Sequence, residues 1–286
     1  MPPRKMIIIG KRSNLSRSLA ARVEGARLVG SHELCTLPTL LAESGPCDLI
    51  YNVFYKSALL DQISAPELYE KYAFTSLAEF VSICLEHLDN INTVLFTSTS
   101  AVYGNNRRAS EAHKTDITNL YASLKLSSEF FLKEHFKDTP IRLVTARVFN
   151  MYGGDDEFSV VSKVASALVD GAEIAVNNNG SSVRDFIHIS DVVEIYLKLL
   201  QSSREGVVNV ATGEGISVDQ LIEMAQSIFQ RRLNIAHVRR DEITHSIACT
   251  DLLKRTIGDY SFKKVGSYFD HYYSDCVPQK REKENL

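Results

Sequence analysis

Residues 5–20 read KMIIIGKRSNLSRSLA. Four consecutive apolar residues, Met6 to Ile9, stop at Gly10; polar residues follow, and then Leu15, Leu19 and Val23 recur at helical spacing. The pattern is strand, tight turn, helix. A strand that is apolar at every position expects cover on both faces, which is the condition of a parallel sheet between two layers of helices.

The same unit repeats outward from this start. ARLVGS (26–31) is a second short strand, LPTLLAES (37–44) a helix, and CDLIYNVF (47–54) a third apolar strand. PELYEKYAFTSLAEFVSICLEHL (66–88) is a long helix, and NTVLFTSTS (92–100) is a strand. NLYASLKLSSEFFLKEHF (119–136) is an amphipathic helix, with Leu120, Leu124, Phe131 and Leu132 expected on its buried side. IRLVTARVFNMYGG (141–154) closes the series as a strand ending in a glycine pair. Alternating strands and helices with short connections predict an α/β, doubly wound (Rossmann) parallel sheet.

Beyond about residue 153 the rhythm is less regular. The expected division is a nucleotide-binding domain over 1–153 and a smaller α/β substrate-binding lobe over 154–275, interleaved with the end of the first. The charged stretch 276–286 (CVPQKREKENL) is expected to lack structure.

The chain has 286 residues, 44% of them hydrophobic and 23% charged, with a formal net charge of -3. That composition supports a large core and gives no basic footprint for nucleic acid. Five scattered cysteines without CxxC or zinc spacing suggest a reducing compartment, and Cys47 and Cys84 read as small core residues. The apolar run at the start is too short for a signal peptide or membrane span, so the expectation is a cytoplasmic protein with no membrane partner.

In the turn Gly10-Lys11-Arg12-Ser13-Asn14-Leu15-Ser16, backbone amides and a helix N-terminus would face a pyrophosphate. Only one glycine of a GxxGxxG pattern is present, and Ser13 or Asn14 as an ordinary helix cap explains the same residues. Gly10, Arg12, Ser13, Asn14 and Leu15 are the candidate cofactor contacts here. The second strand ends in Gly30, Ser31 and His32, with Glu33 late, while Lys11 and Arg12 stand opposite. A 2′-phosphate would suit that neighbourhood better than a ribose diol, so NADP is favoured slightly over NAD. Asn52, and Lys56 beyond it, are further candidates after the third strand, although Val53 and Phe54 are bulky for a position beside a cofactor; an exposed surface lysine is the alternative for Lys56.

Thr97-Ser98-Thr99-Ser100 ends the fourth long strand, at the edge where open parallel sheets bind ligands. Tyr121 and Lys125 follow, four apart and therefore on one helix face. A nearby ammonium favours phenolate, so such a tyrosine can give or take a hydroxyl proton near neutral pH. The pair alone is also a common surface motif; the order of strand, hydroxyl run, YxxxK helix and next strand is what raises its weight. His188, inside FIHI, reads as a satisfied core histidine rather than a ligand.

Several pieces, in order, resemble the extended short-chain dehydrogenase/reductases that act as nucleotide-sugar epimerases, dehydratases and reductases. They are IIIGKRSNLSRSLA, LFTSTSAVYG, YASLKLSSE, ARVFNMYG, VRDFIHISDVV and GVVNVATGEGIS, covering residue 6 to about 258. The resemblance implies Thr99, Tyr121 and Lys125 as the catalytic set. It also implies Tyr121, Lys125 and Thr97 at the nicotinamide end of the cofactor, and Thr99, Ser100, Asn150 and Arg184 toward a nucleotide-diphosphate sugar. An ion pair with Asp185 or Asp191 is the alternative for Arg184. The family's 4,6-dehydratases carry Asp-Glu directly after the catalytic threonine; Ser100 and Ala101 stand here, so elimination is not expected. Reduction of a 4-keto-6-deoxy sugar is favoured, and 4-epimerisation with retained NAD is the alternative. The eroded glycine turn also leaves room for a non-catalytic NAD(P)-sensing or scaffold protein. A homodimer through the helices at 77–88 and 127–136 is possible on their apolar faces.

Overall fold

The computed structural model describes residues 5–53 and 74–284. Phe54 and Lys56, and residues 66–73 of the helix expected over 66–88, lie outside the described residues.

The chain opens with strand β1 (Met6–Ile9), helix α1 (Asn14–Arg22), β2 (Arg27–Val29), α2 (Leu37–Ser44) and β3 (Cys47–Tyr51). Helix α3 (Ser76–Glu86), β4 (Ile91–Thr99), β5 (Asn106–Ala109), α4 (Leu120–Phe136), β6 (Arg142–Val148) and β7 (Asn150–Tyr152) follow. Then come α5 (Val160–Asp170), β8 (Glu173–Asn177), β9 (Val183–His188), α6 (Ile189–Gln201) and β10 (Gly206–Val210). The chain finishes with β11 (Gly215–Ser217), α7 (Val218–Phe229), β12 (Asn234–Val238), β13 (His245–Ala248), α8 (Asp251–Ile257) and α9 (Val265–Glu284).

Six parallel strands form the main sheet, in the order β10-β6-β4-β3-β1-β2. The period of two along a strand explains how a run such as MIII serves two cores at once. Ile7 and Ile9 join a cluster with Leu41, Phe80 and Leu132 on one face; Met6 and Ile8 join Leu15, Leu19 and Tyr196 on the other. From β1 the chain crosses to β2 on one side and then to β3 on the other. The strand order therefore reverses between β1 and β3, and a crevice opens at their carboxyl ends.

A second, five-stranded sheet has the order β11-β9-β13-β5, with β7 paired to β9. It draws β5 from between β4 and α4, so the two sheets share chain segments rather than following one another. Helices α5, α7 and α9 pack around a further core of Val164, Leu168, Leu221, Phe229 and Phe269. Helix α9 runs on to Glu284, so most of the stretch expected to be without structure is helical. Lys, Arg, Gln and Glu are good helix formers, and a composition that cannot build a core can still prolong a helix already docked upstream.

Asp185 fastens the second sheet to the loop after β10. Its fully buried carboxylate accepts from Thr212 N at 2.9 Å, Thr212 Oγ1 at 2.6 Å, Gly213 N at 2.8 Å and Ala248 N at 3.3 Å. This is why Asp185 is not the partner of its neighbour Arg184. Asp185→Ala strands four donors in the interior and is expected to cost about 3 kcal/mol in urea unfolding; a loss under about 1 kcal/mol would mean that the donors find other partners.

Candidate active site

Asn119 caps α4: its side-chain Oδ1 accepts from Ala122 N at 2.8 Å, which starts the helix just ahead of Tyr121. The buried stripe of that helix is Ala122, Lys125, Ser128, Glu129, Leu132 and Phe136. Leu120, expected inside, is 49% exposed, and Phe130 is 64% exposed. Leu132 is buried as expected and Leu124 and Phe131 are half-buried, but half of the stripe is polar.

Lys125 is 3% exposed. Its Nζ donates to Val53 O at 3.0 Å and Thr97 O at 2.9 Å, and stands 5.0 Å from the centre of the Phe96 ring. The helix is thereby pinned to the ends of β3 and β4. Burial drives the Lys125 ammonium down to about 7, with the Glu129 carboxylate pulling the other way.

The hydroxyl run after β4 divides its tasks. Thr97 is buried and its Oγ1 accepts from Tyr196 of α6 at 3.0 Å. Ser98 donates to Glu129. Thr99 Oγ1 accepts from Ala101 N at 3.2 Å, which leaves its proton for another partner. Ser100 is buried. Thr99 and the half-buried Tyr121 stand in the wall of a cleft of about 1280 Å³. The same cleft is also lined by Asn150, Phe158, Lys163, Arg184 and Glu242.

Asn150 donates to Asp185 O at 3.1 Å. Arg184 Nη2 lies 3.3 Å from Glu242 Oε2, both largely buried. Its carboxylate partner is therefore Glu242, neither Asp185 nor Asp191; Asp191 accepts from Tyr260 and from Lys263 N. Glu242 was not singled out in the sequence, where VRRDEITHS shows only a mixed run of charges. His188 caps α6 through its bond to Ser190 and meets Tyr152 edge-on, with its ring 5.2 Å away, which is a structural placement.

At the β1/β3 crevice, Gly10 has φ +109°, and a Cβ there would sit 2.1 Å from Asn52 O. The backbone of the first turn is held tight against the end of β3, so only glycine serves. Ser13 and Ser16 occupy the second and third glycine positions, and Asn52 Nδ2 donates to both hydroxyls, at 2.9 and 2.8 Å. Each seryl oxygen then acts as acceptor and keeps a proton to donate. Asn52 Oδ1 is buried without a partner among the described residues. A helix N-terminus, a spare hydroxyl donor and an orphaned acceptor fit the pyrophosphate and ribose of a dinucleotide. Asn14, in contrast, is tied to the loop after β7: it donates to Gly153 O at 2.9 Å and accepts from Asp155 N at 3.2 Å. Leu15 is a core residue, and Arg12 is exposed, its carbonyl accepting from Arg17.

The end of β2 differs from expectation. Glu33 folds back to accept from Gly30 N at 2.9 Å, and Lys11 Nζ lies 3.5 Å from it. The Gly30 amide and then Lys11 hold its carboxyl below the usual range. A carboxylate does stand beside Lys11, so the reason for preferring a 2′-phosphate is removed.

Residues 23–211 match the model of the NAD dependent epimerase/dehydratase family. The human dTDP-D-glucose 4,6-dehydratase is 28% identical over 145 residues, 49% of this chain and 41% of that enzyme. The GDP-6-deoxy-D-talose 4-dehydrogenase of Aggregatibacter actinomycetemcomitans is 29% identical over 191 residues, 64% of each chain. The chain spans about half the length of the curated relatives it matches. Among solved structures, a UDP-N-acetylglucosamine 4-epimerase from Methanobrevibacter ruminantium M1, in complex with UDP-N-acetylmuramic acid, superposes with a TM-score of 0.84. It is 19% identical and covers 98% of this chain and 100% of its own, which shows a shared fold. Among the described residues no helix is long and apolar enough to cross a membrane.

Lys125 binds its proton less tightly folded than unfolded, so the unfolded chain holds more protons between about pH 7 and about pH 10.5. Stability from this group rises across that window, and below it the buried charge costs on the order of 4 kcal/mol. Lys125→Met is expected to raise the unfolding midpoint at pH 7, with a gain that shrinks as the pH nears 10. Thermal unfolding at the two pH values checks this; an equal gain at both would contradict a buried ammonium.

Proposed function

Since the chain belongs to the NAD-dependent epimerase/dehydratase family, we propose that it moves hydride at C4 of a nucleotide-diphosphate sugar, with interconversion of C4 epimers as its reaction. The observation that carries this reading is that Thr99, Tyr121, Arg184 and Glu242 all line one cleft. A sugar at the first pair would lay its diphosphate toward the second.

In this reading Tyr121 takes the proton of the sugar C4 hydroxyl and returns it after the sugar has turned over. Thr99 donates its hydroxyl proton to the same oxygen and fixes its direction. Lys125 holds the phenolate by its charge and stands over the carboxyl ends of β3 and β4. Gly10, Ser13 and Asn52 would hold the pyrophosphate end of NAD, and Glu33 the adenosine ribose diol. When bound, NAD accepts and gives back the hydride. Arg184 presents a planar guanidinium to the substrate phosphates, with Glu242 setting its orientation. Asn150 lines the same cleft. Ser100 and Ala101 supply no acid or base for removal of a C6 hydroxyl, which supports hydride transfer without elimination.

Reduction of a 4-keto-6-deoxy nucleotide sugar uses the same residues. One observation favours it: with serines at two glycine positions the first turn approaches a pyrophosphate less closely, and a loosely held cofactor exchanges between turnovers. An epimerase needs the opposite. A non-catalytic role on this fold draws support only from the same turn.

Incubation with a panel of unmodified nucleotide hexoses, without added reductant, is expected to give C4 epimers. Tyr121→Phe is expected to lower the rate by about 10²–10⁴-fold while leaving NAD binding in calorimetry intact. NAD(P)H oxidation with 4-keto sugars, and no epimerisation, would replace this reading by the reductase. An undiminished Tyr121→Phe variant would end both.

A further inference from the structure

The buried face of α4 carries a third ionisable side chain that the acid–base reading leaves without a task. Glu129 lies one turn beyond Lys125 on the same face. Arg147 of β6 meets its carboxylate at two points, Nε to Oε1 at 3.0 Å and Nη2 to Oε2 at 2.6 Å. Both side chains are more than nine-tenths buried. Ser98 of β4 donates to the same carboxylate. In sequence Ser98 stands between Thr97, whose carbonyl accepts from Lys125, and Thr99, which faces the cleft. Helix and strand are therefore laced twice: lysine to strand carbonyl, then strand hydroxyl to glutamate.

We propose that Glu129, anchored by Arg147 and Ser98, is a positioning residue that keeps Lys125 in its ammonium form above the ends of β3 and β4.

A buried ion pair by itself is often replaceable by apolar groups. The geometry here asks more of it, because Lys125 has lost its water and both strand carbonyls it meets are neutral acceptors. Among the described residues, Tyr51, Val53, Phe96, Tyr121, Leu124 and Ser128 line the space beside Lys125, and Glu129 lies one turn along its helix. Of these Glu129 is the negative charge that opposes the cost of burial. Ser98 and Arg147 hold its carboxylate in place from two strands. The significance of a charged Lys125 rests on the proposed acid–base role, but its titration can be read without substrate or cofactor.

The test is the titration of the Lys125 side-chain nitrogen by ¹⁵N NMR, with the signal assigned by its loss in Lys125→Met. Glu129→Gln is expected to move the midpoint down by about one pH unit or more, since it removes a nearby anion and uncovers Arg147. Glu129→Asp, which keeps the charge, is expected to stay close to the wild type. Loosening of the fold would instead move the midpoint up, toward the value of a solvated lysine. An unchanged or raised midpoint in a folded Glu129→Gln protein overturns the proposal. Should that variant fail to fold, Arg147→Met gives the converse arm: an upward shift in a protein with native chemical shifts supports the proposal, and no shift overturns it. A wild-type titration that follows the proposal in a protein inert toward every nucleotide sugar would sink the proposed reaction and leave this inference standing.

Discussion

One ammonium with almost no water around it ties three parts of the chain together. Lys125 reaches from α4 to the carbonyls of Val53 and Thr97, which end two adjacent strands of the main sheet. Burying that charge is costly, and the cost is met only where backbone dipoles and a carboxylate surround it. The requirement fixes the height and rotation of α4 over the sheet. Tyr121, one turn earlier, is thereby set against the cleft beside Thr99. The placement of Tyr121 is thus a by-product of satisfying a buried cation.

The other end of the site obeys a backbone constraint instead. At Gly10 the first turn comes within a methyl group's reach of the chain leaving β3, and the contact admits no side chain. Three and six residues further in, the same closeness is relaxed: serines fit because Asn52 turns its amide to them. The depleted glycine pattern and the asparagine after the third strand are therefore one feature seen at two places in the sequence.

Much of the fold was legible because the strands are apolar on both faces. MIII, CDLIY and VLF leave no other economical arrangement than a covered parallel sheet, and the order of the pieces singled out Thr99, Tyr121 and Lys125 as candidates, of which Thr99 and Tyr121 line one cleft. What escaped reading was decided by long-range polar contact. Glu129 was not singled out within YASLKLSSE, yet Arg147 and Ser98 draw it inside. Glu33 looked too late to serve the end of β2, but a side chain long enough to fold back reaches Gly30. Glu242 sat in a charged run with nothing local to mark it, since its partner Arg184 is 58 residues away. The helix past residue 276 escaped because a solvated helical extension and an unfolded tail share one composition.

The strand β5 has a consequence for how the molecule is made. It follows β4 of the six-stranded sheet but pairs with β13, about 140 residues later in the chain (Ser246 beside Asn106). During synthesis this edge has no mate until β13 has emerged, and closing so long a loop costs entropy before any contact rewards it. The two lobes are thus bound to a common folding event. Neither can be cut away at a single point and be expected to stand alone, and an exposed β5 is the place where a half-made chain is open to the wrong neighbour.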